Sequence, residues 1–75
     1  MANVIKVDVT YNGNNYGCAW SDETGTVVVI AETFDKLKTE FVDSLRFHVE
    51  GCLEDGDSVP EYLVNGDYEI VFNLR

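Results

Sequence analysis

The chain predicts an α+β fold of order β-β-β-α-β, a small antiparallel-rich sheet with one helix packed on one face. Three observations lead there. Val4 to Tyr11 alternates, and in Tyr68 to Leu74 the apolar Tyr68, Ile70, Phe72 and Leu74 alternate with Glu69, Val71 and Asn73, the period of a half-buried strand. Val27-Val28-Val29-Ile30 is a continuous β-branched run, which suits a strand and lowers helix propensity. From Phe34 to Leu53 the apolar residues instead recur at helical spacing.

The first strand places Ile5, Val7, Val9 and Tyr11 on one face and Lys6, Asp8 and Thr10 on the other. Asn12-Gly13-Asn14-Asn15 turns the chain, because asparagine and glycine accept the backbone angles of a tight hairpin. Tyr16 to Trp20 then returns antiparallel. Ser21 to Gly25 supplies the next turn, and Thr26 to Ala31 forms a third strand expected to have little exposure on either face.

A helix starts near Thr33, whose hydroxyl can cap the free amides of the first turn, with Glu32 and Asp35 at the positive end of the dipole. Its expected end is near Gly51 or shortly after. At about 100° per residue, Phe34, Leu37, Phe41, Val42, Leu45, His48, Val49, Cys52 and Leu53 fall within an arc of roughly 160°, wide enough to cover a sheet. Past an acidic turn, Val59 to Leu63 reads as an extended connector around Pro60. Asn65-Gly66-Asp67 makes the last turn before the fourth strand.

Length and charge bound the function. The 75 residues form a single domain, 1–75, of a size whose core leaves stability marginal and favours a partner chain. Fourteen acidic residues against five basic give a formal charge of −9. Attraction to phosphate needs the opposite sign, so direct nucleic-acid binding by this segment is not expected. Two cysteines, Cys18 and Cys52, make no disulfide framework, and no apolar run reaches the ~20 residues of a membrane span. A reduced, cytoplasmic setting is expected, without membrane association.

Little points to catalysis. One histidine, no metal-spaced Cys or His cluster and no glycine-rich phosphate loop leave no cofactor expected and no catalytic or metal-binding residue assigned. His48, at the edge of the apolar arc, reads as a packed side chain with one nitrogen on a polar group. It would pair with Cys18 as a nucleophile only if folding joined them. Asp8 could seed a metal-dependent nuclease site with Asp22, Glu32 or Asp67 as companions, although solvent exposure also accounts for it. Glu54, Asp55 and Asp57 around Gly56 lack the spacing of a calcium loop.

Phe47 is the anomaly. It projects about 160° from the centre of the apolar arc, with Asp43, Ser44, Glu50 and Gly51 as its neighbours one turn away. Either the connector Val59 to Leu63 folds over it, or it anchors a partner.

The chain resembles the HicB family of antitoxins, specifically their N-terminal, partial RNase-H-like domain. The resemblance spans nearly all of the sequence. It rests on three short strands, a helix entered near Thr33 and Phe34, the run Phe47-His48-Val49-Glu50-Gly51-Cys52-Leu53-Glu54-Asp55-Gly56 followed by Val59-Pro60, and Tyr68-Glu69-Ile70 opening the last strand. Many members carry a Pro-Asp-Leu-Pro-Gly-Cys-like turn where this chain has Ser21-Asp22-Glu23-Thr24-Gly25, which indicates a divergent branch. Family members usually continue into a DNA-binding domain, which is absent before Arg75.

The resemblance implies a domain that binds the HicA toxin, a small basic mRNA-cleaving ribonuclease of double-stranded-RNA-binding fold, and blocks its active site. It also implies a core whose catalytic carboxylates have been lost. Asp43, Phe47, Glu50, Glu54 and Asp55 are the expected partner-binding residues, and self-association through an exposed sheet edge is expected too. The alternatives are a relic RNase-H-like metal-dependent nuclease using Asp8, or an acidic nucleic-acid mimic.

Overall fold

A computed structural model describes residues 3–75. Its elements are β1 (Asn3–Tyr11), β2 (Tyr16–Asp22), β3 (Gly25–Ala31), α1 (Phe34–Glu54), α2 (Glu61–Asn65) and β4 (Tyr68–Leu74). The expected α+β class is observed, with one addition, the short α2. The sheet order is β3-β2-β1-β4. Hairpins make β1–β2 and β2–β3 antiparallel, whereas the crossover through α1 and α2 returns β4 parallel to β1.

Alternation along each strand decides which face is buried. Val9 lies opposite Cys18, and Cys18 opposite Val29; Ile5 and Val7 sit beside Ile70 and Phe72. These rows form the inner face, against which α1 lays Leu37, Phe41, Leu45 and Val49. Phe41 is fully buried and meets Phe72 edge-on at 5.7 Å, a favoured arrangement of aromatic quadrupoles. Among the described residues, none forms a layer over the opposite sheet face.

Local chemistry explains the boundaries. Asn12 Oδ1 accepts from the amides of Asn14 and Asn15 at 2.9 and 2.8 Å, closing the first hairpin. Thr33 Oγ1 accepts from Lys36 N at 3.1 Å, the expected cap of α1. The helix runs through Gly51 to Glu54, in line with the expected end near Gly51 or shortly after, because a helical glycine costs only about 1 kcal/mol and does not by itself end a helix. What ends it is Gly56 at φ +76, with Gly56 N donating to Leu53 O and Asp57 N to Cys52 O, a Schellman closure.

Two expectations need correction. The stretch Val59 to Leu63 is extended only as far as Pro60, after which Glu61–Asn65 is helical. Proline restricts the residue before it and lacks an amide that the first helical turn does not need, so it can precede a helix. The second concerns β3, expected to be covered on both faces. It is an edge strand, with Val27, Val29 and Ala31 buried but Val28 and Ile30 exposed at 62% and 67%. An unbroken apolar run cannot distinguish a central strand from an edge strand with a bare outer face.

Candidate partner-binding surface

α1 buries one stripe and exposes the opposite one. Phe47 is 78% exposed on that outer stripe, and Asp43, Glu50 and Glu54, one or two turns away, are exposed with it. The connector does not cover Phe47. Leu63 is buried and Val59 and Tyr62 pack against the core cluster, so the segment closes the fold at the α2 end.

The expected site residues divide between two sides of α1. Asp43 faces β3 across a groove also lined by Val28, Ile30 and Glu40. Phe47 and Asp55 continue that groove toward the start of β3. Glu50 instead borders a depression toward α2, with Arg46, Leu53 and Val64; Glu54 is exposed at the helix end. Leu53 belongs to the apolar arc yet is 48% exposed, at its outer margin.

Charge accumulates where the helix least tolerates it. The last turn of α1 carries no basic residue, while Glu54, Asp55 and Asp57 sit at or just past the negative end of its dipole. Carboxylates there are unfavourable by about 0.3–1 kcal/mol each. Phe47, left in water, forgoes a burial gain of roughly 1.5–3 kcal/mol. The surface is thus locally destabilising for the isolated domain.

Beneath it, a polar latch joins the β2–β3 hairpin to α1. Asp22 Oδ1 accepts from Thr24 N at 2.8 Å and from the Thr24 hydroxyl. Thr24 Oγ1 also lies 3.0 Å from His48 Nε2, within hydrogen-bond distance. Cys52 Sγ donates to Thr24 O at 3.7 Å. Gly25, at φ +135, leaves room for the imidazole: a Cβ there would lie 2.9 Å from His48 Cε1. His48 is therefore packed with a polar partner, as its sequence position implied.

The geometry does not assemble the nucleophile pair considered from sequence. Cys18 lies in the inner face between Val9 and Val29; the thiol near His48 is Cys52, at 3.9 Å from Nε2. Burial pushes the Cys52 thiol above its ordinary pKa, and Asp57, Asp55 and Asp22 push it further. Burial also raises Cys18, against a backbone hydrogen bond at Val29. Both favour the protonated, weakly nucleophilic form.

Asp8 likewise stands apart from its suggested companions. Its carboxylate pairs with Arg75 at 3.1 Å on the outer sheet face, whereas Asp22 ends β2 on the inner face, with Oδ2 enclosed and unpartnered. Among the described residues no three His, Cys, Asp or Glu side chains gather in a way that could hold a metal ion. Among them, too, no helix is long and apolar enough to cross a membrane.

Sequence reasoning missed the hairpin latch and the role of Glu40 and Gly51 in the groove. Thr24 gave no signal, since a turn threonine is usually solvated. Glu40 lies two turns before Phe47 on the same helical stripe, so extending the angular count would have found it. No protein-family model, no curated protein and no solved structure matches this chain.

Proposed function

We propose that this chain is a HicB-like antitoxin domain, a cytoplasmic protein that neutralises a small basic mRNA-cleaving toxin of HicA type by protein–protein contact. Phe47 carries the reading: a large aromatic, 78% exposed, set among Asp43, Glu50 and Glu54 on a regular helix. A buried aromatic anchor ringed by groups complementary to the partner is the usual anatomy of an energetic centre in an interface. The formal charge of −9 supports a cationic partner, because opposite potentials raise both association rate and specificity. The β-β-β-α-β order on which the family resemblance rests is also present.

The test uses a purified toxin of HicA type, a small basic mRNA-cleaving ribonuclease. Its RNA cleavage is measured with and without excess chain, and binding by calorimetry. Cleavage should be abolished, and Phe47→Ala should weaken binding by about 10-fold or more, while leaving the unfolding midpoint within experimental scatter because the ring is exposed. Undiminished cleavage in the presence of excess folded chain would overturn the proposal.

A further inference from the structure

A groove runs the length of β3, between the free edge of that strand and α1. Toward the end of the strand it is lined by Val28, Val29, Ile30, Glu40, Asp43 and Ser44; toward the start, Phe47, Gly51 and Asp55 take over the helical wall. No Lys or Arg side chain lines either stretch. β3 lacks the devices that normally blunt a sheet edge. It carries no charge and no proline, and its pairing with β2 continues unbroken from Gly25 to Ala31. The other edge, β4, carries Glu69, and the residue after it, Arg75, is tied to β1 through Val9 O and Asp8.

Gly51 adds an independent observation. It sits inside α1, where glycine is destabilising relative to alanine, yet a Cβ at this position would meet nothing within 4 Å. Packing within the domain gives no reason for the missing side chain. On the groove wall next to Phe47, its absence leaves the helix backbone open to close approach by a partner.

We infer that the groove accepts an extended cationic segment of the partner protein, which adds to the sheet as a fifth strand alongside β3. The inference rests on the antitoxin reading only in taking the partner to be basic. Strand addition supplies main-chain hydrogen bonds, and alternate side-chain positions supply specificity. One set of the added strand's residues faces Glu40, Asp43 and Phe47, which calls for Lys or Arg. The other set lies on the bare sheet face beside Val28 and Ile30, which calls for apolar or β-branched residues. The recognised sequence therefore alternates cationic with apolar residues. A second copy of the chain fits less well: antiparallel β3–β3 pairing places both α1 helices on the same sheet face, carboxylates toward carboxylates, in a dimer of two −9 chains.

The experiment uses the intact chain and a synthetic peptide of alternating Lys and Val, matched in length to β3. A second peptide is N-methylated at alternate amides, so that charge is kept and one ladder is blocked. Calorimetry should give an affinity at least about 10-fold lower for the methylated peptide in the blocked register. Hydrogen exchange should show outward-facing β3 amides slowed by about 10-fold or more on adding the unmodified peptide. Glu40→Gln with Asp43→Asn, both on the exposed helix surface, should weaken binding without altering the fold. Equal affinity for both peptides, or unprotected β3 amides at saturation, would overturn strand addition. So would β3 protection in the free chain accompanied by a dimer in sedimentation, which would make the occupant a second copy. The antitoxin reading fails separately, if the basic ribonuclease toxin is not inhibited.

Discussion

Gly51→Ala gives the sharpest test of the outer face of α1. In a helix interior, alanine is more favourable than glycine by about 0.8–1 kcal/mol. Gly51 lies near the end of Phe34–Glu54 but is still within the hydrogen-bonded helix, its carbonyl accepting from Asp55 N at 3.1 Å. Most of that difference should therefore be realised. The added methyl meets no atom within 4 Å, so neither clash nor new burial alters the balance. A gain of about 0.5–1 kcal/mol is expected, equivalent to a rise in midpoint of about 2–8 °C for a domain of this size. Thermal unfolding followed by far-UV circular dichroism measures it directly. In the same variant, affinity for the proposed cationic segment should fall, because the methyl stands between it and the helix backbone. An unchanged or lower midpoint would refute the reasoning, since it would mean that α1 frays before Gly51 or that its backbone there is not helical.

Three further outcomes follow from the latch and the helix end. Gly25→Ala should destabilise by about 1–3 kcal/mol, because φ +135 strains any side chain and the Cβ would press on His48; combining it with His48→Ala should not restore the loss fully, as urea denaturation of both variants would show. Glu54→Lys should raise stability by about 0.3–1 kcal/mol by suiting the negative end of the dipole, yet weaken binding of the proposed basic partner in calorimetry; a joint loss of both would count against the placement of the charge. With both thiols raised by burial, the folded state holds its thiol protons more tightly than the unfolded state. Stability from this source is complete below the ordinary thiol pKa of about 8.5 and is lost as pH rises toward the folded values. Urea midpoints should decline over that alkaline range, less steeply in Cys52→Ala, and a rise with pH would contradict the sign.

Alternation and helical periodicity are properties of nearest neighbours, and they were legible without coordinates. They placed Ile5, Val7 and Val9 inward, put Phe41 and Leu45 on the core side of α1, and set Phe47 outside it. The cap at Thr33 was equally local, since its hydroxyl needs only an amide three residues away. The end of α1, by contrast, was legible only to within a few residues of Gly51, because sequence alone does not distinguish a tolerated helical glycine from the left-handed one at Gly56.

What tertiary structure alone decided is which strand ends the sheet and what lies beside it. A run such as Val27-Val28-Val29-Ile30 has the same composition at the centre of a sheet as at its edge. Only the order β3-β2-β1-β4 leaves that run with an unpaired side and a bare outer face. The same packing sets Glu40, Asp43 and Phe47 along this edge and joins Asp22, Thr24 and His48 across more than twenty residues of chain. Periodicity determined which side of each element faces the core; the pairing of distant elements determined where a partner can bind.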